Sequence, residues 1–250
     1  MSDNGTKIYN INDLTDSNWK KYFLLSEQNK KDYTSYHLEH HIGRFNSIKK
    51  ILSYIEKNEK SDETKNHFLE FGTWKGHSFY NILYLMEALN ISDKKLVGID
   101  GFVGIPEGYG HVCCPDKLFN NTSYNECLRN IQQRETSYVN QKNNYYLLES
   151  FYNNTERILG FLKEKNINKV SFVHLDCDVV KSCEEVIVLL VDNNLLNDEC
   201  FLHFDDWGIG TGIPEWFENC CNRKLSEYHI TKLYETRITR TFRLNKNLCI

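Results

Sequence analysis

The stretch His67-Phe68-Leu69-Glu70-Phe71-Gly72-Thr73-Trp74-Lys75-Gly76-His77-Ser78 decides the fold. Its first five residues are a short apolar run that reads as a buried strand. Two glycines four positions apart then let the backbone turn sharply. Beyond them Phe79, Ile82, Leu83, Met86 and Leu89 recur at helical spacing. The turn lets a ligand approach the backbone, and the helix that follows offers free N–H groups at its start.

The same alternation continues downstream. Lys95 to Asp100, Tyr145 to Leu148, Val170 to Leu175 and Cys200 to Phe204 read as strands. Asn121 to Arg134, Thr155 to Lys165 and Ser182 to Val191 read as helices between them. Residues 101 to 120 form a long loop holding Pro106 and Pro115. Tyr228 to Tyr234 and Ile238 to Leu244 read as a closing pair of strands. Strands that alternate with helices predict an α/β fold with a parallel sheet covered on both faces. Such sheets bind ligands beyond the carboxyl ends of their strands, near the switch point.

Upstream, Ile42, Phe45, Ile48, Ile51, Leu52 and Ile55 line one face of a helix. The charged stretch Glu56 to Lys65 breaks that pattern and reads as an exposed loop. Residues 1 to 35 are polar, with Trp19, Tyr22, Phe23 and Leu24 as scattered anchors. The expected organisation is an N-terminal helical extension, residues 1–60, and one domain, residues 61–250.

Composition narrows the function. Lys and Arg total 30 against 34 Asp and Glu, a net charge of −4, which argues against a general nucleic-acid binder. Apolar residues are 40% of the chain and aromatics 13%, enough for a packed core. The longest apolar run, Val186 to Val191, falls far short of the ~20 residues of a membrane span. Nine cysteines include the adjacent pairs Cys113-Cys114 and Cys220-Cys221 but no CxxC, which fits free thiols in a reducing compartment. The N-terminus shows no basic region followed by an apolar one, so a cytoplasmic location is expected.

Further acids fall at strand ends. Asp100 closes the second strand, where an acid suits the two hydroxyls of a ribose. His174-Leu175-Asp176-Cys177-Asp178 and Asp205-Asp206-Trp207 follow the fourth and fifth strands. Carboxylates gathered at one sheet edge repel one another unless a cation or proton lies between them. Hard oxygen donors suit Mg²⁺, Ca²⁺ or Mn²⁺. Candidate general bases are His111, in the loop after the second strand, and His174 and His203, which their strands mark as core histidines. His77 reads as a cap of the glycine-turn helix, and Trp74 and Trp207 as packing or pocket-lining residues.

Taken together, Glu70-Phe71-Gly72, Gly76 and Ser78, then Asp100-Gly101-Phe102 with Gly104-Ile105-Pro106-Glu107, His174-Leu175-Asp176-Cys177-Asp178 with Ser182, and Asp205-Asp206-Trp207 resemble the macrocin O-methyltransferase family. The resemblance runs from about Phe68 to Trp207. It implies a Rossmann-like class I methyltransferase sheet with a reversed last strand. It implies S-adenosylmethionine (SAM) bound by Glu70, Gly72, Thr73, Gly76, Ser78, Asp100 and Gly101, with Asp100 on the ribose and Glu149 or Ser150 beside the adenine. It also implies Mg²⁺ or another divalent cation on Asp176, Asp205 and Asp206. Asp176 is preferred to Asp178 because the family spacing to Asp205 is nearer 29 than 27. Asp176 and His111 are then the candidate catalytic pair.

The expected reaction is methylation of a sugar hydroxyl, on a nucleotide-linked or glycosidic sugar. Between the second and third strands Tyr109, His111, Lys117, Tyr124, Arg129 and Arg134 offer hydrogen bonds or meet phosphate charge. Alternatives are a catechol-like small-molecule methyltransferase and a metal-dependent glycosyltransferase using Asp176-Cys177-Asp178. A non-catalytic binding protein has no reason to keep like charges together. Neither nucleic acid nor membrane is an expected partner, and the extension suits a dimer element of a homo-oligomer or a substrate lid.

Overall fold

Every residue of the strand His67–Phe71 is buried, because its two faces are both covered by helices. The computed structural model describes residues 35–58, 66–138 and 144–246. The polar stretch with Trp19, Tyr22, Phe23 and Leu24, most of the 56–65 loop and Cys249 lie outside these. The described elements are α1 (Ser35–Asn58), β1 (His67–Phe71), α2 (His77–Ala88), β2 (Leu96–Asp100), α3 (Tyr124–Tyr138), β3 (Tyr145–Glu149) and α4 (Thr155–Glu164). They continue as β4 (Val170–Leu175), α5 (Val180–Asp192), β5 (Leu196–Phe204), α6 (Ile213–Arg223), β6 (Tyr228–Glu235) and β7 (Arg240–Lys246).

The strands form one sheet in the order β3-β2-β1-β4-β5-β7-β6. β1 to β5 run parallel, and β7 enters antiparallel beside β5. The Rossmann-like sheet with its reversed last strand is therefore present. Chain order reverses between β1 and β4, which opens a crevice beyond their carboxyl ends.

Period-two alternation along the strands divides the core. Leu69, Phe71, Val173, Leu175, Leu202 and Phe204 pack with α4, α5 and α6. Phe68, Phe172 and Phe201 pack with α1, α2 and α3 on the other face. α1 lays Phe45, Ile48, Ile51, Leu52 and Ile55 against that second face, each at most 5% exposed. Burying each such side chain contributes about 1.5–3 kcal/mol, which seats α1 on the sheet.

Some boundaries differ from the sequence reading. β5 begins at Leu196 rather than Cys200: Leu196 pairs with Val170 of β4 and Glu199 with Asn245 of β7, across a register irregularity between β4 and β5. Glu199 there ion-pairs with Arg243 and takes a hydrogen bond from Tyr54. α3 begins at Tyr124, three residues later than expected. α6 had no sequence counterpart; it is short, begins after Gly212, and buries only Ile213, Phe217 and Cys220. All eight described cysteines are free. No helix among the described residues is long and apolar enough to cross a membrane.

Candidate active site

A cavity of about 920 Å³ lies beyond the carboxyl ends of the parallel strands. Its wall carries Gly72 and Thr73 after β1, Asp100 at the end of β2, Asp176 and Asp178 after β4, and Asp205 and Asp206 after β5. Ligand pockets typically occupy about 300–1,000 Å³, so there is room for a cofactor with an acceptor beside it.

The glycine turn is built by contacts with the rest of the sheet. Gly72 has φ +91°, and a β-carbon there would sit 1.7 Å from the backbone oxygen of Asp176. Gly76, with φ +84°, caps the start of α2 and lies under Ile131 and Cys127 of α3. Gly76 is thus required by the turn and by helix packing, and it is not on the cavity wall. Glu70 is also away from the wall: fully buried, it accepts a hydrogen bond from the Ser78 hydroxyl. Ser78 itself and Thr73 do line the cavity.

Asp100 ties the turn to β2. Its Oδ2 accepts the Trp74 N–H at 2.7 Å and its Oδ1 accepts the Phe102 N–H at 2.7 Å. Burial pushes its carboxyl up, and these two N–H groups oppose that shift. Each oxygen keeps acceptor capacity for a hydroxyl. Glu149, expected beside a nucleobase, is exposed at the end of β3. Ser150 is buried and donates from its hydroxyl to the Phe151 carbonyl. Phe151, Tyr152 and Asn153, just after this strand end, line the cavity; Phe151 is 47% exposed and packed beside Gly101. A flat apolar face there suits a purine ring.

The acids converge as the sequence implied. Asp176, Asp205 and Asp206 each offer an oxygen within 4.8 Å of the others. Asp205 and Asp206 are buried, while the Asp176 side chain keeps 23% of its surface open. Asp178 adds a fourth carboxylate; its backbone has φ +59° and its N–H donates to Asp206 Oδ2 at 3.2 Å. Burial, followed by repulsion among the acids, holds Asp176, Asp178 and Asp206 well above the usual carboxylate range. Asp205 differs: burial would raise it, yet the Arg44 guanidinium and His40 hold it well below that range. Three hard oxygen donors around one point, poor in balancing charge, fit a divalent cation such as Mg²⁺ or Mn²⁺.

Three residues of α1 that the sequence reading passed over complete this wall. Arg44 Nη1 lies 2.5 Å from Asp205 Oδ2 and 3.7 Å from Asp176 Oδ2. Its Nη2 donates to His41 Nδ1 at 2.8 Å. His40 Nε2 lies 3.1 Å from Asp205 Oδ1. Burial, and then Arg44, push the His41 pKa well below its ordinary value, in keeping with Nδ1 accepting from Arg44. A signal was present: Arg44 lies one helical turn before Ile48, on the same buried stripe.

The 101–120 loop folds over the cavity. Asp116 accepts the N–H groups of Gly108 and Gly110 at 3.0 and 2.7 Å, and Tyr109 donates to Glu185 of α5 at 2.5 Å. Trp74 stacks edge-on with Phe119 at 5.4 Å, joining the loop to the glycine turn. His111 is a correction. Paired backbone bonds between His111 and Cys114, 2.8 and 2.9 Å, form a tight turn that leaves its side chain exposed and off the cavity wall. His174 and His203 are core residues, fully buried and stacked at 5.3 Å on neighbouring strands. Burial pushes His203 well below its ordinary pKa.

The sequence profile of the macrocin O-methyltransferase family, TylF, matches residues 39–235. No curated protein matches the chain. Among solved structures, the chain is similar to CalS11, calicheamicin methyltransferase, with a TM-score of 0.64 and 14% identity over 91% of this chain and 90% of that one. The O-methyltransferase NovP gives a TM-score of 0.64 at 15% identity over 82% and 81%. An apo form of CalS11, described as a TDP-rhamnose 3′-O-methyltransferase, gives 0.57 at 15% identity over 82% and 80%. At these identities the structural likeness is one of fold.

Proposed function

The chain belongs to the macrocin O-methyltransferase family, and from that premise we propose that it transfers a methyl group from SAM to a sugar hydroxyl, with a divalent cation at Asp176, Asp205 and Asp206. The observation that carries this reading is one cavity shared by a glycine turn with its strand-end acid and by a cluster of carboxylates.

Asp100 would accept hydrogen bonds from the ribose hydroxyls, with Phe151 against the adenine and the Gly72–Ser78 turn at the amino-acid end. SAM supplies an electrophilic methyl that needs an oxygen attacking in line. A divalent cation on the three acids would lower the pKa of a hydroxyl bound to it and fix its direction. Asp178 would take the hydroxyl proton: it faces the cavity beside Asp206, to which its N–H donates. Asp176, between the turn and the acids, would fix the acceptor against the methyl, and such positioning supplies much of the rate.

A sugar acceptor fits the polar wall. The Tyr109–Glu185 pair and Asn153 cover the cavity beside the acids, with Asn153 3.3 Å from both partners. The description of CalS11 as acting on TDP-rhamnose favours a nucleotide-linked sugar. The glycosyltransferase alternative does not survive the family assignment.

Calorimetry with S-adenosylhomocysteine tests the cofactor half. Micromolar binding to the wild type, weakened in Asp100→Ala, is expected. Equal binding by both proteins would remove Asp100 from the cofactor site.

A further inference from the structure

We propose that Arg44 is an internal counter-ion of the acid cluster, and that its ion pair with Asp205 and the binding of a divalent cation exclude each other. The inference rests on the metal reading above. It adds that α1 controls how tightly that metal is held.

The argument begins with position. A guanidinium on the buried stripe of α1 is costly unless it meets opposite charge. Arg44 is 5% exposed, and the charge it meets is Asp205 at 2.5 Å and Asp176 at 3.7 Å. It therefore sits at the opening between two of the three carboxylates that would ligate the metal.

Both Asp205 oxygens already hold a partner. Oδ2 takes Arg44 and Oδ1 lies against His40. A metal at the trio needs one of these oxygens at about 2.0–2.6 Å. With Oδ2 as the ligand, Nη1 and a dication would be near neighbours in a poorly solvated pocket, where like charges repel strongly. One of them must leave.

Arg44 is the partner able to move. Nη1 is held by the acids and Nη2 by His41, while the buried Nε has no hydrogen-bond partner among the described residues. Its side chain also lines the cavity, so it can swing along the wall without crossing the core. One guanidinium cannot balance four carboxylates, which is why the site still draws a dication despite this occupant.

The test is Mn²⁺ binding, read from the free-ion electron paramagnetic resonance signal, to chelator-stripped wild type, Arg44→Met and Arg44→Lys without cofactor. Arg44→Met should bind Mn²⁺ at least tenfold more tightly than wild type. Arg44→Lys, which keeps the charge, should stay within about threefold of it. Equal or weaker binding by Arg44→Met overturns the counter-ion role and leaves the metal site standing. Absence of Mn²⁺ binding by all three proteins at millimolar ion overturns both. A second measurement does not depend on a variant folding: Mg²⁺ added to ¹⁵N-labelled wild type should shift the buried guanidinium resonance with the midpoint of Mg²⁺ binding. A resonance that stays put at saturating Mg²⁺ overturns the exclusion.

Discussion

Gly72 lies so close to Asp176 that a β-carbon at position 72 would sit 1.7 Å from the Asp176 backbone oxygen. The end of β1 and the end of β4 are pressed together at the switch point of the sheet. The turn that would hold the cofactor and the acid that would hold the metal are therefore one rigid unit. In-line methyl transfer requires the methyl and the attacking oxygen to be fixed relative to each other, and this contact provides a common base for both.

Gly72→Ala should accordingly damage both halves. Two costs combine, the strained φ of +91° and the backbone overlap, for about 2–4 kcal/mol of stability. Urea denaturation should show this loss. Any folded fraction should bind S-adenosylhomocysteine and Mn²⁺ more weakly than wild type.

Asp100→Ala removes the acceptor of the Trp74 and Phe102 N–H groups as well as the ribose partner. Cofactor affinity should fall by about 1–3 kcal/mol, the cost of unpairing buried hydrogen-bond groups. Calorimetric titration of S-adenosylhomocysteine measures it directly.

Asp206→Asn should separate metal from fold. Among buried, mutually repelling acids, one carboxylate fewer relieves the metal-free protein. Its thermal midpoint in chelator should rise, while Mn²⁺ affinity should fall at least tenfold for the loss of a charged oxygen ligand. A lower midpoint with unchanged Mn²⁺ binding would contradict both expectations.

A pH effect should come from outside the site. His67 is buried, and burial, with Lys95 nearby, pushes its pKa down to about 4 from an ordinary value near 6.5. The folded state thus prefers neutral His67, whose Nδ1 accepts the Lys95 N–H at 3.1 Å. Its contribution is present above pH about 6.5 and is lost as pH falls toward 4. Denaturation at pH 7 and pH 5 should show a larger drop for wild type than for His67→Asn, which can accept the same bond without titrating. Equal drops would remove His67 as the cause.

Much of this was legible in the sequence. The strand β1, its glycine turn and β4 were readable because a fully buried strand is a short apolar run bounded by a turn. The acids at strand ends stood out because a carboxylate after an apolar run contradicts its surroundings. What was missed depended on contacts across the chain. After Leu196 the start of β5 is the polar run Asn197, Asp198 and Glu199, which does not read as a buried strand. His40 and Arg44 reach Asp205 from more than 160 positions away, and spacing along one helix does not reveal what the helix covers. His111 was placed in the right loop, but a turn with Cys114 points it outward.

The central claim is metal-assisted methylation of a sugar hydroxyl, and methyl transfer from isotopically labelled SAM tests it most directly. The acceptor panel should contain nucleotide-linked sugars, free glycosides and catechol, each with Mg²⁺ and with excess chelator after verified metal removal. The account predicts a labelled methyl ether on a sugar, formed with Mg²⁺ and absent in chelator. Labelled catechol with no labelled sugar, or undiminished sugar methylation in metal-free protein, would contradict it.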